Sequence, residues 1–316
     1  MTNSSSEFDL IAEFFAPLAS APGAFGLTDD AAIIAPREGH DLVVTTDMIA
    51  AGIDFFAGDP PGAIAKKSLR VNLSDLAAKG AQPFAYLLTL SLPRADPAWL
   101  GEFARGLRED QEAFGCGLLG GDMSAAPGPL SVSITAFGHV PSGRMILRSG
   151  AVPGDGVFVT GTIGDSGGGL ALLKNQAVPA SDETRARLIA RYRIPEPRVT
   201  FAPALRAASA AIDVSDGLLA DLGHIAQASG VRMEIEAGRI PLSPSLLDLW
   251  GESTGTVVRA ATAGDDYEVA FTARSPIVDA HTTITRIGRV TEGSGVVLLD
   301  ARGGEIAVPQ RGFVHF

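Results

Sequence analysis

The feature that most limits what this chain can fold into is a recurring local pattern: a short apolar run, often β-branched, ends, and glycine or aspartate follows at once. Runs bounded by turn formers in this way read as strands, and the longer stretches with apolar residues every three or four positions read as helices. The pattern breaks once, in the turn-rich stretch 141–153, and then restarts. The 316 residues therefore divide into two domains, 1–142 and 143–316, each long enough to bury its own core. The fold class is α+β, a mixed α/β domain followed by an α/β domain.

In the first half, Phe8, Ile11, Phe14 and Phe15 have helical spacing, the Pro/Gly-rich stretch 17–26 is a loop, and a further loop presents Asp29 and Asp30. Residues 31–35 and 42–46 read as two strands, the second ending at Asp47. Asp59 with Pro60 and Pro61 starts a helix that runs through Leu69, Leu73 and Leu76 to Gly80. A strand over 84–92, a helix begun by Asp96 and Pro97, and strands over 117–120 and 130–140 complete this half. The second half opens with a strand over 156–160, a glycine-rich loop and a helix from Ser166. Helices over 184–192, 199–208 and 216–229 and strands over 211–214, 231–236, 267–272 and 296–299 follow.

Composition narrows the class of protein. A hydrophobic fraction of 46% and a charged fraction of 19% are those of a globular chain, and no apolar run is long enough for a bilayer-spanning helix. The opening residues are polar and acidic, without the basic and then apolar pattern of an export signal, so cytoplasmic residence is expected. With Cys116 as the single cysteine, neither an intramolecular disulfide nor a thiolate zinc cluster can form. A net charge of -11 with dispersed Lys and Arg argues against nucleic acid as a partner. An acidic protein that handles phosphate needs cations. The 22 aspartates against 14 glutamates favour turns and strand ends, where a short carboxylate is held rigidly.

Five places stand out: Asp29-Asp30, Thr45-Thr46-Asp47, Asp75, Gly120-Gly121-Asp122 and Asp213-Val214-Ser215-Asp216-Gly217. Magnesium takes hard oxygen ligands in near-octahedral geometry and is typically held by one or two carboxylates together with substrate phosphates, which suits dispersed aspartates. Each taken singly reads as a turn residue or helix cap before it reads as a ligand, and only the joint pattern points to metal. Asp75 is harder to explain so, because it lies inside an apolar helix where it caps nothing; Lys79, one turn later, offers it an ordinary ion pair. If these carboxylates converge, each close pair repels by about 4 kcal/mol at 4 Å and an effective dielectric of 20, which a metal would relieve. Arg148, near the domain junction, is either a phosphate contact or a solvated surface residue. The glycines around 154–169 match neither the P-loop nor the dinucleotide fingerprint and read as phosphate cradle or tight packing. Gly264-Asp265-Asp266-Tyr267-Glu268 repeats the acidic-loop pattern or is a plain turn, and the five histidines form no catalytic signature.

Taken in order, these segments resemble the thiamine-monophosphate kinases, of the superfamily that includes aminoimidazole ribonucleotide synthetase. The resemblance spans essentially the whole chain. It is carried by Glu7-Phe8-x-Leu10-Ile11, Thr28-Asp29-Asp30-Ala31-Ala32, Thr45-Thr46-Asp47-Met48, Asn72-Leu73-Ser74-Asp75-Leu76, Gly120-Gly121-Asp122, Arg148-Ser149-Gly150-Ala151, Thr160-Gly161-x-x-Gly164-Asp165-Ser166, Asp213-x-Ser215-Asp216-Gly217-Leu218 and Asp265-Asp266-Tyr267-Glu268. What it implies is transfer of the ATP γ-phosphoryl group to thiamine phosphate with several Mg2+ ions, in a homodimer joined through the sheet of the N-terminal domain. By that resemblance the metal positions fall on Asp30, Thr46, Asp47, Asp75, Asp122, Asp213 and Asp216, with Thr45 beside them. The nucleotide contacts fall on Gly121, Asp122, Arg148 and Ser215, and the acceptor contacts on Asp54, Asp265 and Phe313, the last within Gly312-Phe313-Val314-His315-Phe316.

The chain departs from the family at the acceptor end. Asp54 stands where the family usually has His, Asp265 replaces a usual Glu, and Met123-Ser124-Ala125 replaces hydroxyl-rich residues. A carboxylate at 54 repels a phosphate and attracts a cationic thiazolium. Two other readings fit: a sister ATP-dependent enzyme of the superfamily with another acceptor, and a catalytically silent nucleotide or thiamine-phosphate binding protein.

Overall fold

The structure, a computed structural model, describes residues 6–175 and 178–313, so Val314, His315 and Phe316 of the closing motif lie outside the described residues. Its contacts divide into two units, Met1–Leu76 with Ala81–Gly143 and Ala77–Gly80 with Arg144–Phe316.

The first unit begins with helix α1 (Glu7–Leu10), closed by a capping box in which Ser6 Oγ accepts from Asp9 N at 3.2 Å and Asp9 Oδ2 accepts from Ser6 N at 2.9 Å. A π-turn (Ile11–Phe15) and a 3-10 turn (Ala16–Leu18) continue it and bury Phe15 and Leu18. The strand expected over 31–35 is absent: Ile33 N donates to Gly23 O at 3.1 Å, no ladder forms, and Pro36 removes a donor at the end of the run. Strand β1 (His40–Ala50) is longer than expected and places Asp47 inside the strand, because all of it pairs antiparallel with β4, from His40 opposite Pro141 to Ala50 opposite Ser131.

Helix α2 (Pro61–Ala78) follows, buried around most of its circumference. Strand β2 (Gln82–Leu92), helix α3 (Pro97–Phe114), β3 (Gly117–Ala125) and β4 (Ser131–Pro141) complete the unit. Asp96 caps α3 by accepting from Ala98 N at 3.0 Å. The sheet order is β1-β4-β2-β3, antiparallel except for the β2/β3 pair, and α3 is the crossover a parallel pair requires. Arg70 joins α2 to α3 through a bidentate pair with buried Asp110, both bonds 2.7 Å. One face of β1 meets α2. The other exposes Leu42, Val44 and Met48 at 46%, 52% and 67%.

The second unit carries β5 (Gly156–Thr160), α4 (Asp165–Lys174), α5 (Asp182–Arg193), α6 (Ala202–Leu205), β6 (Ala210–Asp213), α7 (Leu218–Ser229) and β7 (Arg232–Glu236). Then come α8 (Pro244–Trp250), α9 (Thr254–Ala261), β8 (Val269–Ala273), β9 (Ile284–Thr291) and β10 (Gly295–Leu299). The six strands are ordered β10-β7-β9-β5-β8-β6, with only β10/β7 parallel. The core between sheet and helices gathers Val157, Val159, Ile212, Leu222, Ile225 and Ile235 among others, each at most 2% exposed. The helix expected over 199–208 is broken into a 3-10 turn (Val199–Phe201) and the short α6. The helix expected from 216 starts at Leu218, because Gly217 has φ +126° and cannot be a helical residue. No helix among the described residues is long and apolar enough to cross a membrane.

Candidate active site

In the first unit the pleat of β1 sorts the expected ligands onto two faces. Thr45 and Asp47 face α2. Thr45 Oγ1 donates to Asp75 Oδ2 at 2.5 Å, and the Asp47 backbone N donates to the side-chain oxygen of buried Asn72 at 3.0 Å. Asp75 is therefore explained by β1, while Lys79 Nζ donates to the Ala211 carbonyl at 2.7 Å. Burial, then the Asp75 charge, then that of Asp54 push the Asp47 carboxyl up to about 6. Asp54 is held by its own turn, Oδ2 accepting from Ala50 N at 2.8 Å and its carbonyl accepting from Lys67 Nζ at 2.7 Å.

Thr46 lies on the opposite face, where Thr135 Oγ1 donates to its hydroxyl at 3.0 Å. Thr135 in turn lines a cavity of about 470 Å³ that also takes in Asp29, Asp30, Gly120, Gly121 and Asp122. The structure thus brings Asp30, Gly121 and Asp122 together although they come from a loop and from β3. Asp29 Oδ1 accepts from the Asp30 backbone N at 2.8 Å, and Ser124 Oγ donates to Asp122 at 3.2 Å. Gly121 is required by close approach: a Cβ there would sit 1.9 Å from the Leu88 carbonyl oxygen on β2.

In the second unit the run from Asp213 to Gly217 leaves β6 as a tight loop over the start of α7. Its shape is set by Asp221, whose Oδ2 accepts from three consecutive backbone N–H groups, Ser215 at 3.0 Å and Asp216 and Gly217 at 3.1 Å. Burial and the neighbouring Asp216 still push Asp221 up to about 7, against the pull of those donors. One ligand atom each of Asp216, Asp221 and His224 lies within 4.8 Å of the others, so His224, given no role from sequence, stands beside an expected metal residue.

Two distant segments meet this loop. Asp265 N donates to Ser215 O at 2.7 Å, Tyr267 N donates to Val214 O at 2.8 Å, and Phe313 N donates to Asp216 O at 2.9 Å. Asp265 and Tyr267 have φ of +60° and +52°, left-handed conformations that cost roughly 1–3 kcal/mol each outside glycine. Behind them, fully buried Glu268 receives Arg198 through two hydrogen bonds, Arg191 at 3.1 Å and Thr160 Oγ1 at 2.6 Å. Asp266, also buried, accepts from Gly164 N at 2.7 Å and is pushed well above the ordinary carboxylate range by burial. These bonds occupy the start of α4, and a Cβ on Gly169 would lie 2.1 Å from the Leu188 carbonyl, so tight packing accounts for the glycine-rich loop. Arg148 is exposed, its carbonyl accepting from Ser229 Oγ at 3.3 Å.

The donors fit a hard divalent cation. Thr45, Asp47 and Asp75 offer oxygen alone, and the Asp47 carboxyl is raised first by burial and then by the charges of Asp75 and Asp54, the last two of which a cation would offset.

The matched family models are the AIR synthase related protein N-terminal domain over residues 28–140 and the corresponding C-terminal domain over residues 152–300. The chain is 43% identical to the thiamine-monophosphate kinase of Caulobacter vibrioides, over 98% of this chain and 90% of the relative. The thiamine-monophosphate kinase structure from Stenotrophomonas maltophilia K279a shares 41% identity at a TM-score of 0.80, covering 86% of this chain and 89% of that one. AaThiL complexed with AMPPCP and TMP matches at 32% identity and a TM-score of 0.80, covering 98% of this chain and 97% of that one. With its fold and both halves of its sequence so matched, the chain belongs to the thiamine-monophosphate kinase family.

Proposed function

We propose that this protein transfers the γ-phosphoryl group of ATP to thiamine phosphate, giving thiamine diphosphate, by direct in-line displacement assisted by several Mg2+ ions. The observation that carries the reading is the full-length likeness to AaThiL, a relative whose structure holds AMPPCP and TMP. The oxygen-only donors Thr45, Asp47 and Asp75, gathered where β1 meets α2, support the metal part.

Asp30, Thr45, Thr46, Asp47, Asp75 and Asp122 of the first unit and Asp213 and Asp216 of the second hold the ions. When bound, Mg2+ neutralises phosphate charge and orients donor and acceptor oxygens. Gly121 and Ser215 offer backbone and hydroxyl contacts to the nucleotide, and exposed Arg148 a guanidinium for its phosphates. Asp54, Asp265 and Phe313 receive the acceptor. The two carboxylates suit its cationic ring, and Phe313, 52% exposed, offers an aromatic face. No side chain need act as a base, because the acceptor is a phosphate monoester with a second pKa of about 6, already an anion at neutral pH. The exposed apolar face of β1, with Leu42, Val44 and Met48, supports a homodimer joined through this sheet. ATP supply places the reaction in the cytoplasm.

An ADP-release assay with and without thiamine phosphate tests the reading. ADP formation that requires both thiamine phosphate and Mg2+ supports it; ATP binding without acceptor-dependent turnover refutes it.

A further inference from the structure

We propose that Tyr267 is a positioning residue, whose hydroxyl fixes the Asp265 carboxylate against the cationic ring of the acceptor and so sets acceptor affinity. The inference rests on the reading of Asp265 as an acceptor contact.

Of the residues 264–268, Asp265 is the one that is not buried. Its neighbours are anchored on every side. Asp266 accepts from Gly164 N at 2.7 Å, Glu268 is locked among Arg191, Arg198 and Thr160, and the backbones of Asp265 and Tyr267 donate to Ser215 and Val214. The run is a rigid mount that presents a single carboxylate. Tyr267 Oη donates to Asp265 Oδ1 at 3.1 Å, across a span of two residues and from a ring that is 9% exposed.

Both partners of that bond are left-handed, at φ +60° and +52°. Aspartate tolerates this conformation better than most residues, but a bulky aromatic residue such as Tyr267 is an outlier there. Backbone of this kind persists where the surroundings over-determine it, and it gathers at ligand sites. The conformation is what puts the phenol beside the carboxylate. A carboxylate with one oxygen held by a neutral donor is restricted in rotation, as recognition of a cationic ring asks. The same backbone bonds tie this carboxylate to the loop that carries Ser215 and Asp216, so acceptor and nucleotide contacts in this unit share one frame.

The test is steady-state kinetics on the full chain with Tyr267→Phe, Asp265→Asn and the double variant, varying thiamine phosphate and Mg-ATP separately. Tyr267→Phe removes one hydroxyl and keeps the ring. The expected result is a KM for thiamine phosphate raised about tenfold, the scale of one hydrogen bond to a charged group, with kcat and the KM for ATP within about twofold of wild type. The double variant should show no further rise beyond Asp265→Asn, and any general loss of stability common to both backgrounds cancels in that comparison. Additive effects, or an unchanged KM in Tyr267→Phe beside a raised one in Asp265→Asn, overturn the positioning role and leave the acceptor contact standing. Normal kinetics in both single variants remove Asp265 from the acceptor site and the proposal with it. Absence of acceptor-dependent turnover in wild type refutes the kinase reading itself.

Discussion

Replacing Asp47 by Asn should stabilise the protein when divalent metal is absent. A carboxyl raised from an ordinary 3.8 to about 6 is disfavoured as the anion by up to roughly 3 kcal/mol at pH 7.5, at 1.36 kcal/mol for each unit. Because the folded value lies above the unfolded one, the folded state holds the extra proton between those two pH values. Stability therefore falls as pH rises from about 4 to about 6, the cost is complete above 6, and it vanishes below 4. Asn keeps the size and cannot ionise, and the Asn72 contact is to the backbone of residue 47, so it survives the change. At roughly 2–4 °C for each kcal/mol in a protein of this size, the gain in melting temperature is at most about 12 °C. The assay is thermal denaturation in EDTA at pH 4 and 7.5, wild type against Asp47→Asn. The variant should melt higher at pH 7.5, match wild type at pH 4, and lose the stabilisation that Mg-ATP gives wild type. A variant that melts no higher than wild type at pH 7.5 in EDTA would refute the claim that burial and its acidic neighbours disfavour the Asp47 anion.

Glu268→Ala removes the buried carboxylate between Arg191 and Arg198 and leaves them only the exposed Glu196, at 3.4 and 3.8 Å, so urea denaturation should show a loss of about 3 kcal/mol, the low end for breaking a buried pair. A loss below about 1 kcal/mol would mean the cluster contributes little. Gly121→Ala puts a methyl group 1.9 Å from the Leu88 carbonyl and must part β2 from β3 at the cavity floor, so calorimetry should find Mg-ATP binding lost. Binding at wild-type strength would remove that strand pair from the nucleotide site.

Much of the fold was legible where local chemistry decides it. Asp96-Pro97 announces α3, and the β-branched run over 156–160 is β5 to the residue. Strand β9 was not legible, because Arg286, Gly288 and Arg289 break its apolar alternation; its place is fixed by pairing with β5 and β7 on either side. Helices α8 and α9 are short, yet each begins with a capping serine, Ser243 and Ser253, that sequence reading passed over. At the site the aspartates were visible one by one, and the period of two along β1 already separates Thr46 from Thr45 and Asp47. Asp221 and His224 carried a signal as well, an Asp-x-x-His spacing on a helix that starts at the acidic loop. The partners of Glu268 carried none: Arg198 and Arg191 lie 70 and 77 residues away, and tertiary folding alone brings them together.

The central claim is that a phosphoryl group passes from ATP to thiamine phosphate with no stop on the protein. A single-turnover reaction with γ-labelled ATP, quenched at intervals and resolved into protein, thiamine phosphates and inorganic phosphate, tests it most directly. The label is expected to move into thiamine diphosphate while the protein stays unlabelled throughout. Label trapped on the protein before product forms, or released as inorganic phosphate with thiamine phosphate unchanged, would contradict it.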